Sequence, residues 1–277
     1  MCGRSVAPAI SLLLLLVSVA FFTLLERKVL AYLILRRGPN KPSALGLLVP
    51  FADALKLLAK PFTLPHLGSS FLIVLACFIM FSVPAFLWLF VSNNSPFWDW
   101  SFRMLSVLVW SSLSVWALIA AGWGSNSKYS TLGGTRCLAQ TISYEVCLTL
   151  LFFGFCLLSS FDIFVVRVHW GLFLYLHLIL ILFLVLLAET NRSPFDFAEG
   201  ESELVSGYNV EYSGPGFVLL FLAEYLSILF MSFLTGALTC GCSPLTSCIF
   251  GSCYGFVFVW VRGTLPRLRY DQLMSLS

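Results

Sequence analysis

Apolar residues run unbroken along this chain for stretches that no soluble core requires. Residues 5–25, 61–98, 104–127, 168–188 and 225–261 contain no Asp, Glu, Lys or Arg. A helix rises about 1.5 Å per residue and the hydrocarbon layer is about 30 Å thick, so about 20 residues cross it. The longest runs therefore hold more than one element. The pattern predicts seven spanning helices, at about 6–30, 70–91, 104–122, 137–158, 170–188, 216–238 and 245–262.

One segment keeps helical spacing but is too short to span. Between Leu47 and Lys60 the apolar positions recur at helical intervals, with Asp53, Lys56 and Lys60 at i, i+3 and i+7. This predicts an amphipathic helix at about 46–60, lying in the membrane interface or packed against a partner. Ahead of it the first spanning helix passes over Glu26, Arg27 and Lys28 without a breaker. A basic turn from Arg36 to Lys41 follows.

Composition supports the same class. The 277 residues are 59% hydrophobic and 10% charged, with a mean hydropathy of +0.94. We expect an all-α integral membrane protein, residues 1–277 forming a single membrane domain with no sizeable soluble part. The first apolar run is too long for the core of a signal peptide and ends in charge, so it reads as a retained spanning helix. Nine cysteines are present, but none forms a C-x-x-C pair and most sit in apolar runs, where Cys acts as a small hydrophobe. The cluster Cys240, Cys242, Cys248 and Cys253 fits no ordinary zinc or iron–sulfur spacing, and no metal is expected. Neither G-x-G-x-x-G nor a P-loop occurs, which argues against direct nucleotide binding. No nucleic-acid partner is expected.

Charge sets the orientation. With the N-terminus outside, thirteen of the sixteen cations fall on the inner side, and only Arg4, Arg103 and Arg167 remain outside. That is a strong positive-inside bias. The same inner side receives residues 189–211, where six carboxylates (Glu189, Asp196, Glu199, Glu201, Glu203 and Glu211) accompany one cation, Arg192. Like charges crowded at a membrane boundary persist only if solvated, protonated or paired. The segment reads either as a solvated acidic loop, spanning about 189–215, or as one that handles protons or organises cations.

Two carboxylates lie inside predicted spans. Glu145 stands about eight residues into the fourth and Glu224 about eight residues into the sixth, both counted from the inner side. Each is thus about 12 Å deep. An isolated charge there costs several kcal/mol, so such residues either face a polar cavity or sit neutral and hydrogen-bonded between helices. His177, alone in the apolar fifth run, is expected as a packed core residue. Pro84 is expected to kink the second helix.

Several motifs occur in order: Leu25-Glu-Arg-Lys28, Arg37-Gly-Pro-Asn40, Pro50-Phe-Ala-Asp-Ala54, Gly124-Ser-Asn-Ser-Lys-Tyr129, Ala139-Gln-Thr-Ile-Ser-Tyr-Glu145, Ala188-Glu-Thr-Asn-Arg192, Glu199-Gly-Glu-Ser-Glu-Leu204, Ala223-Glu-Tyr225 and Arg267-Leu-Arg-Tyr-Asp-Gln-Leu273. Together they resemble the subunit 1 family of the proton-pumping NADH:quinone oxidoreductase, respiratory complex I, over about residues 10–274. The resemblance implies a membrane heel on which the peripheral arm docks, contributing to the quinone passage and to the start of a carboxylate path. It implies ubiquinone as a shared substrate and no flavin, iron–sulfur cluster or metal in this chain. The implied partners are other membrane subunits, the quinone-site subunits of the peripheral arm, and lipid. The implied location is the mitochondrial inner membrane.

Carried over by the same resemblance, Arg36, Asp53 and Lys56 line the quinone passage. Glu199, Glu201 and Glu203 lie beneath the quinone cavity, in a loop with Glu189, Arg192, Asp196 and Glu211. Glu145 and Glu224 continue the proton path inward. Arg262, Arg267, Arg269 and Asp271 hold the inner surface against the peripheral arm. One departure stands out: the family pattern has an eighth helix after the Arg-Tyr-Asp-Gln-Leu motif, and the sequence here ends at Ser277. The expectation is therefore seven spans here, with the eighth helix truncated, supplied by another chain or lacking in the lineage. Two other readings remain, the membrane anchor of a related hydrogenase and a stand-alone proton-coupled transporter. The second is disfavoured by the absence of an internal repeat.

Overall fold

The computed structural model describes residues 2–65, 68–92, 103–158, 176–196, 207–240 and 244–276. Every regular element among them is helical: α1 (Cys2–Leu33), α2 (Val49–Leu58), α3 (Ser70–Ser92), α4 (Arg103–Gly124), α5 (Lys128–Leu158), α6 (Leu176–Glu189), α7 (Gly214–Cys240), α8 (Pro244–Thr264) and α9 (Tyr270–Leu276). Short 3₁₀ turns cover Ala44–Gly46 and Gly207–Asn209. Six helices, α1, α3, α4, α5, α7 and α8, are long and apolar enough to cross a membrane. Within α6, residues His177–Glu189 form a shorter apolar helix. The all-α membrane class read from the sequence is thus the class observed.

The bundle is built around α7, which packs on α8, α3, α1, α2 and α6. Leu220, Leu226 and Phe230 of α7 are fully buried, as are Leu148 and Phe152 of α5 and Leu182 and Leu186 of α6. In contrast, α1 shows Ile10, Leu13, Leu14, Val17 and Phe21 to the outside, and α5 shows Ile142, Val146, Leu150 and Phe153. These outward apolar stripes at helical spacing suit lipid or neighbouring membrane subunits.

Several boundaries differ from the sequence expectation for physical reasons. The amphipathic helix starts at Val49 rather than near 46, because Leu45 and Gly46 adopt positive φ (60° and 69°) and end the preceding turn. Pro50 then sits in the first turn of α2, where its missing N–H costs nothing. Helix α5 begins at Lys128, nine residues before the expected start at 137. Gly133 and Gly134 do not break it, because each serves a close contact: Gly134 lies against Gly122 of α4 and Gly133 against the backbone of Gly207. His177 is corrected: it lies on the exposed side of α6 rather than in the core. Pro84 lies inside α3 and cannot donate to the carbonyl of Met80 one turn earlier; both residues line the internal cavity described next.

Candidate functional site

The turn after α6 brings the charged residues inside. Thr190 donates its hydroxyl to the Leu186 carbonyl at 2.9 Å, and the backbone N–H groups of Arg192 and Phe195 close on Leu187 O and Arg192 O at 3.2 and 2.8 Å. Asn191 takes a positive φ of 50°, a conformation asparagine tolerates better than most residues. Gln140 of α5 is fully buried beside this turn. Its Nε2 donates to Ala188 O at 2.7 Å and to Phe195 O at 2.9 Å, so one amide spans the turn from end to end.

The turn thereby delivers Glu189, Asn191 and Arg192 to a cavity of about 100 Å³ between α3, α4, α5 and α7. Thr190 of the same turn, Ser111 and Ser114 of α4, Thr141 of α5, Tyr208, and Glu224 and Ser227 of α7 complete its polar lining. The hydroxyls of Ser111, Ser114, Thr141 and Ser227 donate to carbonyls of their own helices, leaving their lone pairs as acceptors. Among the described residues, Oε2 of Glu189 and Oδ1 of Asn191 are buried with no hydrogen-bond partner. At about 10–15 Å³ of such volume per molecule, the cavity has room for several waters, and its acceptors call for donors of that kind. Tyr208 donates its phenolic hydroxyl to Oε1 of Glu224, and the side chain of Asn209 also hydrogen-bonds Glu224. Glu145 does not line this cavity. It stands 17 residues into α5, and its charge acts on Glu189.

A second cluster adjoins the cavity through Arg192. Glu26 of α1 is buried, 5% exposed, in the bundle. Its Oε1 accepts from Arg262 of α8 and from Arg192 at 3.3 Å, and its Oε2 accepts from the Tyr225 hydroxyl at 2.7 Å. The Arg192 guanidinium also lies 4.6 Å from the centroid of the Tyr225 ring. Burial opposes the charge on Arg192, but Glu26, Tyr225 and Glu224 outweigh it and hold the guanidinium above its ordinary range. A buried carboxylate survives as an ion only when paired and hydrogen-bonded in this way.

The remaining expected site residues are dispersed. Asp196 is buried and receives Arg267 at 2.9 Å, with Leu268 N–H bonded to Pro194 O alongside. Asp53 pairs with Arg27 at 2.7 Å on the surface between α1 and α2 rather than with Arg36. Arg36 and Lys56 are exposed, and Glu211 is partly exposed. Arg262 gives its guanidinium to Glu26 and Arg267 pairs with Asp196, and Arg267, Arg269 and Asp271 are exposed. Glu199, Glu201 and Glu203 lie outside the described residues.

The sequence reading passed over Glu26, Tyr208 and Tyr225. Glu26 carries the same signal as Glu145 and Glu224, a carboxylate within a helix that has no breaker, but the adjacent Arg27 and Lys28 made it look like a surface crossing.

The comparisons with known proteins agree over nearly the whole chain. Residues 7–277 match the family described as NADH dehydrogenase. The NADH-ubiquinone oxidoreductase chain 1 of Anopheles gambiae is 47% identical over 284 residues, covering 98% of this chain and 90% of that protein. Its counterpart in Myxine glutinosa is 46% identical over 288 residues, covering 100% and 91%. That in Aedes aegypti is 45% identical over 270 residues, covering 95% and 86%. With six long apolar helices among its described residues, this chain is a multi-pass protein of the mitochondrial inner membrane. Matched from end to end at such identity, the chain belongs to the NADH dehydrogenase family, as a subunit 1 (chain 1) of NADH-ubiquinone oxidoreductase.

Proposed function

We propose that this chain forms part of the ubiquinone passage and the floor of the quinone site, and begins a carboxylate path that couples quinone reduction to proton movement. Reduction of a quinone to a quinol consumes two electrons and two protons. The electrons come from the partner subunits of the peripheral arm, so this chain's share is to bind, orient and supply protons. In this reading α2 forms the passage mouth. Phe51, Leu55 and Leu58 present an exposed apolar surface suited to an isoprenoid tail, and Arg36, Asp53 and Lys56 add the charged rim. The family resemblance assigns Glu199, Glu201 and Glu203 to the quinone headgroup. Glu189, Arg192 and Glu224 pass charge inward, with Glu145, Asp196 and Glu211 as the neighbouring carboxylates. Arg267, Arg269 and Asp271, being exposed, meet the peripheral arm, with the partly exposed Arg262 beside them. Neither flavin, iron–sulfur cluster nor metal belongs to this chain in the proposal.

The observation that carries it is the position of Arg192. This one cation contacts Glu26 at 3.3 Å and lines the same cavity as Glu189 and Glu224, so a charge change on either side is felt on the other. Glu189→Gln and Glu224→Gln in the assembled enzyme are expected to lower proton-coupled quinone reduction about tenfold or more. NADH oxidation by artificial acceptors, which bypasses the membrane, stays unchanged. Normal quinone turnover and pumping in both variants would overturn the carboxylate path and leave the chain as an anchor.

A further inference from the structure

The segment joining α2 to α3 is fastened to the start of α7 by one hydroxyl. Ser213 Oγ accepts from the Thr63 backbone N–H at 2.8 Å and from the Thr63 hydroxyl at 2.7 Å, and donates to the Thr63 carbonyl at 3.1 Å. A serine hydroxyl has one donor and two acceptor sites, so its whole capacity is spent on a single residue 150 positions away. Ser213 immediately precedes α7, where a serine ordinarily caps the helix's own N–H groups. Here it gives up that role.

The backbone beside it is fitted as closely. Gly214 has a φ of +48°, and a Cβ there would lie 2.8 Å from Lys60 O and 3.1 Å from Pro61 O. A Cβ on Gly216 would meet the Phe62 ring at 3.0 Å. On the other side of Ser213 the chain runs back through Tyr212, whose hydroxyl reaches Ala121 O at 3.3 Å, to Asn209 and Tyr208, the two residues bonded to Glu224. Gly207, at the far end of this stretch, is pressed against Gly133 of α5. The stretch 207–213 is therefore pinned at both ends, and one of its anchors is the chain leaving the amphipathic helix.

We infer that Thr63 and Ser213 are positioning residues for Glu224, a clasp through which the position of α2 at the membrane surface sets the hydrogen bonds of Tyr208 and Asn209 to the cavity carboxylate. This rests on the proposed role of Glu224 and adds to it a physical link from the passage mouth to the proton site.

A double-mutant cycle in the assembled enzyme tests it. Ser213→Ala is expected to lower the kcat of quinone reduction about three- to tenfold, with the KM for a short-chain quinone little changed, and to shift its pH profile. Ser213→Thr keeps the hydroxyl and restores both. In a Glu224→Gln background, Ser213→Ala is expected to have no further effect on kcat or on the pH profile. Losses that simply multiply in the double variant, or a Ser213→Ala enzyme with unaltered kcat and pH profile, would overturn the clasp while leaving Glu224's own role standing. A Glu224→Gln enzyme of normal activity would instead remove the proposed role on which the clasp depends, and the clasp with it. Should Ser213→Ala fail to assemble, Thr63→Val, which removes one of the three bonds, carries the same cycle.

Discussion

Arg192 reaches Oε1 of Glu26 at 3.3 Å, and Arg262 binds the same oxygen more closely. The two arginines arrive from different parts of the chain and share one carboxylate whose side chain is only 7% exposed. Deleting the carboxylate therefore strands two positive charges.

Glu26→Ala is expected to destabilise the bundle by about 3–5 kcal/mol, the usual penalty for removing one partner of a buried ion pair. The surface pair Arg27–Asp53 is the internal control. Its side chains are 55% and 44% exposed, so Arg27→Gln is expected to change stability by less than about 1 kcal/mol. Thermal unfolding of the purified enzyme, or the yield of assembled complex, measures both. Equal effects for the two substitutions would contradict the buried cluster.

Gln140 supplies both hydrogens of its amide to carbonyl oxygens, so only a side chain with two donors replaces it. Gln140→Met preserves much of the volume and removes the donors. We expect a cost of about 1–3 kcal/mol from the two lost hydrogen bonds, with Ala188 O keeping only its longer bond from the Asn191 N–H. We also expect faster proteolysis or amide exchange in the 189–196 turn than in α6. Unchanged protection of that turn would show that the amide does not hold it.

The polar cavity offers a gain-of-volume test. Ser111 is buried at its wall on α4 and has no charged partner there. Ser111→Leu fills space otherwise fit for water and removes a hydroxyl acceptor. Quinone reduction is expected to fall about tenfold or more, with oxidation of NADH by artificial acceptors untouched. Full quinone turnover with the cavity filled would mean that protons do not use it.

Two glycines separate packing from propensity. A Cβ on Gly236 of α7 would lie 2.8 Å from Ser247 O and 2.9 Å from Gly251 Cα of α8, so Gly236→Ala forces the helices apart. A loss of about 2 kcal/mol or more is expected, in the range of other overpacked contacts. Among the described residues, no neighbouring side chain or packed helix comes within 4 Å of the place a Cβ on Gly154 of α5 would take. Gly154→Ala is expected to stabilise by about 0.5–1 kcal/mol through backbone entropy alone. Melting temperatures moving in opposite directions are the expected result.

Much of this molecule was legible in its sequence, and the boundary of what was not has a physical cause. Uncharged runs of sufficient length specify spanning helices almost by themselves, since a helix alone satisfies its backbone groups in hydrocarbon within one segment. The carboxylates Glu145 and Glu224 stood out because charge inside such a run is costly. Pairing was not legible: Glu26 and Arg262 are 236 residues apart, and no periodicity connects them. Nor was the clasp of Thr63 on Ser213, where ordinary residues meet only through the fold. The early start of α5 was not legible, because the contacts of Gly133 with Gly207 and of Gly134 with Gly122 that pack its first turns exist only in the fold. His177 misled in the opposite direction, because in a membrane bundle an apolar neighbourhood in sequence includes the outer surface as well as the core.

The near-touching backbones at Gly236 and Gly251 make α7 and α8 a single stiff plank rather than two sliding rods. One member of that plank carries Glu224 and the other carries Arg262. A tilt that re-aims the first is expected to carry the second with it, and with it the ion pair that Arg262 makes with Glu26 of α1.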